Sequence, residues 1–411
     1  MNHVGIVDNR GQYRLSTLEE GLTLIQHIKK FVIMVCMATL ATSFATPVWA
    51  ADPPVPPVTN AKAVALLDAT TGQELYARHA SLALPMASVT KLMTLYIAIE
   101  AINHHKIRLD ELVPADEAAY HIAGSQIWLR PGERLSVDQM LRAIAIGSAN
   151  DAAYALGTFL SGSEPQFVSV MNHTAQQLGM THTHFVNPHG LPALDHYTTA
   201  HDLAVLGKAA VHLPLLLHYT KQWQDRTIRN GKGGKLWLIN QNRLLRTYAG
   251  ADGLKTGYTQ QAGFCMVATA QRMGTRLVAV VLGAPTSRDR FQDAATLLTW
   301  GFQHFRTVQV IPAGAIPRSI LVIQGIPSQV PLKTRGSRYF TLPITDQKKF
   351  SFQVHLPTRM MAPVHRGQVV GYIAVTRGST EVSRVQLVAS REVRKLSLGE
   401  LTWEYFWKVI G

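Results

Sequence analysis

Cysteine is scarce in this chain: its 411 residues include only two cysteines, Cys36 and Cys265. Cys36 lies within an apolar run near the N-terminus that we expect to be removed, so the mature protein would keep Cys265 alone. A small fold held together by disulfides is therefore excluded. A chain of this length has room for two or three domains whose apolar cores need no covalent cross-link.

Acidic residues are also few: 26 Asp and Glu stand against 40 Lys and Arg, which gives a net charge of +14. The basic residues are scattered along the chain, without zinc-finger spacing or a glycine-rich phosphate loop, so we predict no nucleic-acid partner. A basic surface that faces an anionic membrane or cell-wall polymer accounts for the charge.

Metal-binding patterns are missing as well. Four histidines lie near one another, but their spacing matches no zinc motif; they are His182, His184, His189 and His196. We interpret them as ordinary loop histidines, and we predict neither a metal nor a cofactor.

Residues 31–45 form an apolar run that is too short for a comfortable membrane span but has the length of a signal peptide. Lys29 and Lys30 precede the run, and the small residues Val48 and Ala50 follow it at the positions that a signal peptidase reads. We therefore predict a signal peptide over residues 1–50, a mature start near Ala51, and export. Because residues 1–30 are long for the segment before such a run, a later translation start and a signal retained as an anchor stay open.

The rest of the chain divides by texture into four parts. Residues 51–59 are a Pro-rich linker. Residues 60–306 give strand patterns, then helix patterns, then strands and a helix again, which predicts an α+β domain with strands paired across a long sequence separation. Residues 307–395 contain short strand candidates broken by Pro and Gly, which is typical of a small all-β sandwich or barrel.

Residues 396–411 predict a C-terminal amphipathic helix. Trp403, Phe406, Trp407 and Ile410 fall on one side of it, and a basic segment precedes it. Aromatic residues at the end of a chain favour a helix that lies in a membrane interface. Packing of the helix on the β-rich domain is the alternative.

Three short motifs carry the chemistry, and each occurs once in the chain. They are Ser88-Val-Thr-Lys91, Ser148-Ala-Asn150 and Lys255-Thr256-Gly257. At a helix start, positions i and i+3 share a face, so Lys91 reaches the Ser88 hydroxyl. A serine hydroxyl is a poor nucleophile until a base takes its proton, and a lysine is a base only when it is neutral. Burial and the charge of Lys255 would both lower the pKa of Lys91.

The other two motifs fit a cleft beside that serine. Ser148 and Asn150 follow Gly147 on a loop between two helix patterns, where their side chains can project into a cleft. On a strand, Lys255 and Gly257 share a face, and the missing side chain of Gly257 lets a backbone approach closely.

The segments "PMASVTKLMT", "IGSANDAA", "HGL" and "DGLKTGYT" resemble those of the serine D-alanyl-D-alanine carboxypeptidases, the low-molecular-mass penicillin-binding proteins. The resemblance implies a penicillin-binding/serine β-lactamase-like transpeptidase domain, followed by a small all-β sandwich domain and a C-terminal amphipathic helix. The middle motif of this branch is usually Ser-Gly-Asn, and we expect little effect from the small Ala149.

The resemblance also implies roles for the site residues. Ser88 would be the nucleophile, Lys91 its base, and Ser148 a proton relay to the leaving amine. Asn150 would bind the substrate amide, and Lys255 and Thr256 its terminal carboxylate. The backbone N–H groups of Ser88 and Tyr258 would form the oxyanion hole, beside Gly257. These expected roles are assigned to the positions of this sequence that match the motifs.

The implied reaction is removal of the terminal D-alanine from peptidoglycan stem peptides, with β-lactam antibiotics as covalent inhibitors. The implied location is the periplasmic face of the inner membrane, with peripheral attachment through the C-terminal helix.

The same fold supports other functions. A class A β-lactamase uses a glutamate downstream of the middle motif, but Glu164 is the last glutamate before Glu381 and lacks the Glu-x-x-x-Asn pattern. A DD-endopeptidase and a catalytically silent envelope scaffold stay open, although a scaffold has no need of the retained motif residues. We interpret Arg288 and Arg290 as a solvated surface pair, with carboxylate binding as the alternative.

Overall fold

The computed structural model describes residues 5–7, 13–15, 55–229 and 234–403, and the chain divides into two compact units, residues 1–54 and 55–411. In the first unit, strand β1 (Gly5–Val7) pairs with β2 (Tyr13–Leu15) in antiparallel register. The apolar run, Cys36 and the cleavage site of the predicted signal peptide lie outside the described residues. The second unit contains every predicted motif.

The described part of residues 63–304 alternates strands and helices. The strands are β3 (Ala63–Asp68), β4 (Glu74–Arg78), β5 (Leu112–Pro114), β6 (Arg134–Ser136), β7 (Gln224–Asp225), β8 (Leu238–Ile239), β9 (Ala251–Thr259), β10 (Gly263–Arg272) and β11 (Thr275–Ala284). The helices are α1 (Lys91–Asn103), α2 (Glu117–His121), α3 (Val137–Ala145), α4 (Asn150–Ser161), α5 (Glu164–Leu178), α6 (Ala200–Val211), α7 (Pro214–Thr220), α8 (Leu244–Thr247) and α9 (Ser287–His304).

The main sheet of this region has the order β4-β3-β11-β10-β9 and is antiparallel throughout. The predicted pairing across a long sequence separation is confirmed, because β3 pairs with β11. The strand β9, which carries the Lys-Thr-Gly motif, lies at one end of that order. Its outer edge is therefore available to an extended peptide.

Helices cover both faces of the sheet. Val267 and Val278 pack with the helical region on one face, and Met266 and Leu277 pack with α9 on the other. The helix α1 lies inside the first of these clusters, as its uniformly apolar sequence predicted. The fold positions the first motif by burying the helix that follows it.

Local signals in the sequence define two helices beside the site. Ser136 precedes a helix pattern and is predicted as its N-cap; the structure confirms this, because Ser136 caps α3 and forms a capping box with Gln139. The helix α3 ends before Gly147, and α4 starts at Asn150. The short break between them carries Ser148.

The described residues from Phe305 to Lys395 form strands joined by short turns and loops. These are β12 (Phe305–Ile311), β13 (Gly314–Ile323), β14 (Gly325–Ile326), β15 (Gln329–Thr334), β16 (Arg338–Pro343), β17 (Phe350–His355), β18 (Arg359–Met361), β19 (Val369–Arg377), β20 (Thr380–Ala389) and β21 (Arg394–Lys395). A six-stranded sheet has the order β17-β19-β20-β15-β13-β18, and β12-β16 and β14-β21 are separate pairs. The predicted all-β sandwich region is confirmed.

Four of these strands, β12, β15, β18 and β21, lie outside the predicted strand candidates, and two of them show why. The strand β12 follows α9 directly, so no turn residue separates them in the sequence. The strand β15 contains Pro331, and proline usually argues against a strand. Burial alternates along β15, with Val330 and Leu332 in the core, and this packing outweighs the proline.

The predicted Pro-rich linker and the predicted C-terminal helix are each only partly covered by the described residues. Residues 55–61 pack on α9 within the second unit: Trp300 Nε1 donates to the Val55 carbonyl at 2.7 Å, and Ala61 N donates to Asp293 at 2.8 Å. Residues 398–403 are helical, and residues 404–411 of the predicted amphipathic helix lie outside the described residues.

Within the described ranges, no single helix has the length and apolar character to cross a membrane. The helices α6 and α7 meet that test of length and composition only as a pair, which is bent by 105°.

Candidate active site

The first motif forms a tight turn that presents Ser88. Residues Ala87–Thr90 make one 3-10 turn, and α1 begins at Lys91. A 3-10 turn has three residues, so side chains three apart stand one above the other. Lys91 Nζ therefore lies 2.9 Å from Ser88 Oγ, with the serine half-buried and the lysine fully buried.

Two further oxygens fix the orientation of the Lys91 amine. Lys91 Nζ lies 2.5 Å from Asn150 Oδ1 and 2.6 Å from the His189 carbonyl oxygen. Both of these oxygens can only accept hydrogen bonds. A neutral amine has two N–H groups and one lone pair, so the two carbonyl oxygens use the N–H groups and the lone pair faces the Ser88 hydroxyl.

The electrostatic surroundings favour that neutral form. Burial lowers the pKa of Lys91 well below its ordinary value, and the charge of Lys255 lowers it further, against an opposing effect of Asp151. Burial also lowers the pKa of Lys255 to about 7, and the charge of Arg290 adds to this effect. The pKa shift that the sequence predicted for Lys91 thus has the two predicted causes.

Ser148 and Lys255 form a second group across the cleft. The backbone of Ser148 is left-handed, with φ of 58°, and its Oγ accepts a hydrogen bond from Lys255 Nζ at 3.0 Å. Lys255 also donates to the Thr256 carbonyl at 3.0 Å. Among the described side chains, Ser148 makes no hydrogen bond with Lys91. The structure therefore places the predicted relay next to Lys255.

Asn150 does more than begin a helix. Its side chain makes no cap; Nδ2 donates to the Ala123 carbonyl at 2.6 Å while Oδ1 binds Lys91. The backbone N–H of Asn150 donates to the Ser125 carbonyl at 2.7 Å. Asn150 is therefore more than a helix cap, because its amide joins the base to the loop at residues 123–125.

Strand β9 packs directly onto the turn that holds the nucleophile. A Cβ atom on Gly257 would stand 2.9 Å from the Met86 oxygen and from the nitrogens of Ser88 and Val89. Such contacts are too short for a side chain, so this position requires glycine. The backbone before Tyr258 therefore runs beside the Ser88 N–H, where the oxyanion hole was predicted. The Tyr258 ring itself is exposed and stacks on Phe264 at 4.3 Å.

Arg290 corrects one interpretation. Its side chain is 5% exposed and donates to the Gly257 carbonyl at 3.1 Å, so it is not part of a solvated surface pair. Its guanidinium lies over Phe264 and Phe291, and only Arg288 is exposed. Arg290 lies on the helix stripe that continues through Ala294, Leu297, Leu298 and Gly301, all buried. That spacing is the sequence signal for its burial.

The four histidines considered for a metal site differ in burial. His189 and His196 are buried, and His182 and His184 are exposed. His189 contributes its carbonyl to the Lys91 amine, a role that no side-chain pattern announces. In the part of the chain that the structure describes, no three His, Cys, Asp or Glu side chains are placed to hold a metal ion.

A serine on a tight turn, a buried lysine that serves as its base, a Ser-x-Asn loop and a Lys-Thr-Gly edge strand together define the penicillin-recognising serine peptidases. Comparison with known sequences narrows this class. A profile described as D-alanyl-D-alanine carboxypeptidase matches residues 50–286, and one described as penicillin-binding protein 5, C-terminal domain, matches residues 305–395. The chain belongs to the D-alanyl-D-alanine carboxypeptidase family and is a serine-type D-Ala-D-Ala carboxypeptidase.

Individual relatives agree with this assignment. D-alanyl-D-alanine carboxypeptidase DacC of Escherichia coli is 35% identical over 375 residues, which cover 88% of this chain and 92% of that protein. Penicillin-binding protein 5 from Haemophilus influenzae has a similar crystal structure, with a TM-score of 0.71, 30% identity and coverage of 84% of this chain and 100% of the other. Penicillin-binding protein D2 from Listeria monocytogenes, solved in an ampicillin-bound form, has a TM-score of 0.54 and 32% identity, and covers 61% of this chain and 100% of its own.

Proposed function

We propose that this carboxypeptidase removes the terminal D-alanine of peptidoglycan stem peptides through an acyl-enzyme on Ser88. The observation that carries the proposal is the 2.9 Å separation of Lys91 Nζ and Ser88 Oγ, with the other two neighbours of the amine able only to accept. That arrangement leaves a lone pair for one proton, the proton of the serine hydroxyl.

In the acylation step, Ser88 Oγ attacks the carbonyl carbon of the D-Ala-D-Ala amide and its proton passes to Lys91 Nζ. The backbone N–H groups of Ser88 and Tyr258 stabilise the negative oxygen that forms. The C–N bond then breaks, and the proton that Lys91 accepted passes through the Ser148 hydroxyl to the leaving amine, which restores the neutral Lys91. Water attacks the resulting ester, which releases the shortened peptide and restores the Ser88 hydroxyl.

Substrate binding uses the edge of the sheet and its positive charge. An extended peptide pairs along β9, with its terminal carboxylate near Lys255 and the Thr256 hydroxyl. Arg290 adds a buried cation behind this strand, through its bond to the Gly257 carbonyl. A substrate with a free carboxylate beside the scissile amide is therefore favoured at this site.

β-Lactams would acylate the same serine, because their strained amide presents the same carbonyl. The leaving nitrogen stays attached to the opened ring, so it blocks the path of the hydrolytic water. The ampicillin-bound form of the Listeria relative supports this expectation. Glu164, the glutamate weighed for a β-lactamase, lies 3.8 Å from the imidazole of His189.

The test incubates the mature protein with labelled penicillin, and separately with a peptide ending in D-Ala-D-Ala. We expect a stable covalent label and release of D-alanine from the wild type, and neither from Ser88→Ala. Ser351→Ala, an exposed serine on β17, is the matched control and should behave as wild type. Rapid loss of the label would indicate a β-lactamase. A cross-linked peptide dimer is tested in parallel, and cleavage of the dimer alone would indicate an endopeptidase. The absence of both labelling and D-alanine release would indicate a scaffold.

We further propose that the protein is exported and attached to the periplasmic face of the inner membrane through its C-terminal helix. The aromatic positions of residues 403–410 support this, and Leu398 and Trp403 present exposed apolar surface at the start of the helix. Deletion of residues 396–411 should move the mature protein from the membrane fraction to the soluble fraction. An unchanged distribution would exclude this attachment, and N-terminal sequencing of the mature protein would test the cleavage near Ala51.

A further inference from the structure

The backbone that carries Ser88 is held in an unfavourable conformation. Ala87, the residue immediately before the nucleophile, has a φ of 49°, in the left-handed region that residues other than glycine rarely adopt. Such a conformation persists only where surrounding contacts fix it. The contact that fixes it acts on the Ala87 carbonyl.

That carbonyl is enclosed by a hydrogen bond and by a second backbone. Thr90 Oγ1 donates to the Ala87 oxygen at 2.8 Å, and Thr90 is fully buried. Gly190 closes over the same oxygen: a Cβ atom at Gly190 would lie 2.0 Å from it. Beside the backbone bonding of the 3-10 turn, the Thr90 hydroxyl is therefore the side-chain group that donates to the Ala87 carbonyl.

His196 orients this hydroxyl from the other side. Its Nδ1 accepts the backbone N–H of Val186 at 3.0 Å, so the ring proton resides on Nε2. Nε2 lies 2.8 Å from Thr90 Oγ1 and donates to it. Because a hydroxyl has one proton, the His196 bond leaves the Thr90 proton directed at the Ala87 carbonyl. Burial lowers the pKa of His196 to about 4, and the charge of His184 adds to this effect, so the ring is neutral at neutral pH.

We propose that His196 is a positioning residue for the nucleophile, acting through the Thr90 hydroxyl on the Ala87 carbonyl. This chain of hydrogen bonds sets the direction of the Ser88 hydroxyl toward Lys91 and of the Ser88 N–H toward the oxyanion. The role of His196 rests on the proposed function of Ser88. His196 itself touches neither the substrate nor the reacting atoms.

The test compares acylation by labelled penicillin in variants that remove or keep the chain. Thr90→Val removes the hydroxyl and keeps the volume, Thr90→Ser keeps the hydroxyl, and His196→Leu removes both ring nitrogens. The acylation rate of the bound complex should fall at least tenfold in Thr90→Val and in His196→Leu, with the non-covalent dissociation constant within threefold of wild type. Thr90→Ser should recover the wild-type rate within threefold.

A double-variant cycle tests whether the two residues act in one chain. The double variant Thr90→Val/His196→Leu should lose no more than the more affected single variant, because either change already disrupts the oriented hydrogen bond from the Thr90 hydroxyl to the Ala87 carbonyl. His196→Gln, whose amide both accepts and donates, should recover part of the rate lost in His196→Leu. If His196→Leu does not fold, His196→Gln replaces it in the double-variant cycle.

The control separates positioning from plain stability. Thr269 is equally buried, and its hydroxyl donates to the Leu277 carbonyl at 3.0 Å within the sheet, away from the nucleophile turn. Thr269→Val should lower the melting temperature and leave the acylation rate of folded protein unchanged. The proposal is overturned if Thr90→Val acylates at the rate of Thr269→Val, or if the losses in Thr90→Val and His196→Leu multiply. Failure of the wild type to acylate would instead contradict the proposed role of Ser88.

Discussion

Residues 63–304 and 305–395 are both rich in β-strand, yet they differ in what they bury. The first region encloses charged and titratable side chains near its edge strand, among them Lys91, Lys255, Arg290, Asp151 and His189. In the second region, the buried polar residues that the structure describes are two threonines, Thr334 and Thr341. The reactive side chains and the fully buried charges lie in the first region, whereas the second region holds a partly buried ion pair of Arg377 and Asp346.

Hydrogen bonds offset the free-energy cost of burying these polar groups. A buried charge or amine is tolerated when its polar atoms are paired. Lys91 has three oxygen partners, and the Asp151 carboxylate accepts backbone N–H groups from Ile127 and Leu129. In the second region, apolar clusters around Val375 and Leu387 need no such network. Substitutions at the site residues of the first region should therefore change the acylation rate, and substitutions in the second region should change stability alone.

The largest expected effect comes from removing the base. Lys91→Met keeps a similar volume and removes the amine that takes the serine proton, so the acylation rate should fall by about 10³-fold. Labelled penicillin measures the rate. The exposed Lys349 of the second region gives the control, because Lys349→Met should acylate as wild type. A loss of less than tenfold in Lys91→Met would mean that another group deprotonates Ser88.

A smaller loss is expected from crowding the nucleophile turn. Gly257→Ala places a methyl group 2.9 Å from the Ser88 nitrogen, so the turn or β9 must shift and the acylation rate should fall by about 10²-fold. Gly371→Ala in β19 is the counterpart, with a Cβ atom 2.2 Å from the His355 oxygen. It should lower the melting temperature, while the folded fraction acylates at the wild-type rate. Equal rate losses in both variants would show that the second region affects the acylation rate as much as the first.

The third prediction concerns pH and stability. The pKa of Lys255 is lowered to about 7 in the folded protein by burial and by Arg290, whereas an unfolded lysine titrates near about 10.4. Between these values the unfolded chain binds a proton that the folded chain lacks. The contribution of Lys255 is therefore most favourable above pH 10, falls as the pH decreases toward 7, and is constant below.

Urea denaturation at several pH values checks this sign. From pH 8 to 10 the free energy of unfolding of the wild type should rise relative to that of Lys255→Met by about 1.4 kcal/mol per unit. Lys349→Met, an exposed lysine, should show no such difference from wild type. A flat difference for Lys255→Met would mean that Lys255 is charged in the folded protein.

The smallest effect on rate is expected from the core of the second region. Leu387 is fully buried, and Leu387→Ala should lower the free energy of unfolding by about 2–5 kcal/mol. The acylation rate at 20 °C should stay within twofold of wild type, because no part of the site is formed by β20. A large loss of rate in folded Leu387→Ala would show that this region shapes the cleft.

The sequence allowed the motif residues to be placed on their elements, because helix caps, glycine breaks and strand alternation are local signals. Ser136, Gly147 and the strand around Lys255 were predicted in this way. Local signals do not reveal contacts made by backbone atoms. The backbone carbonyl of His189 accepts a hydrogen bond from Lys91, and any other side chain at position 189 would leave that carbonyl in place. Arg290 was misassigned because a charge was read as exposed, although its helix stripe was apolar. The strand β12 was missed because no turn residue precedes it.

The helix α9 joins the two regions without a linker. Arg290 lies in its first turn, against β9, and Phe305 begins β12 directly after its last residue. Thr307 then donates its N–H to Thr275 Oγ1 at 2.8 Å. With 18 residues, the helix extends over about 27 Å as one rigid rod. Heating should therefore melt both regions in one cooperative transition, and a destabilising lesion in either would shorten the working life of the whole enzyme.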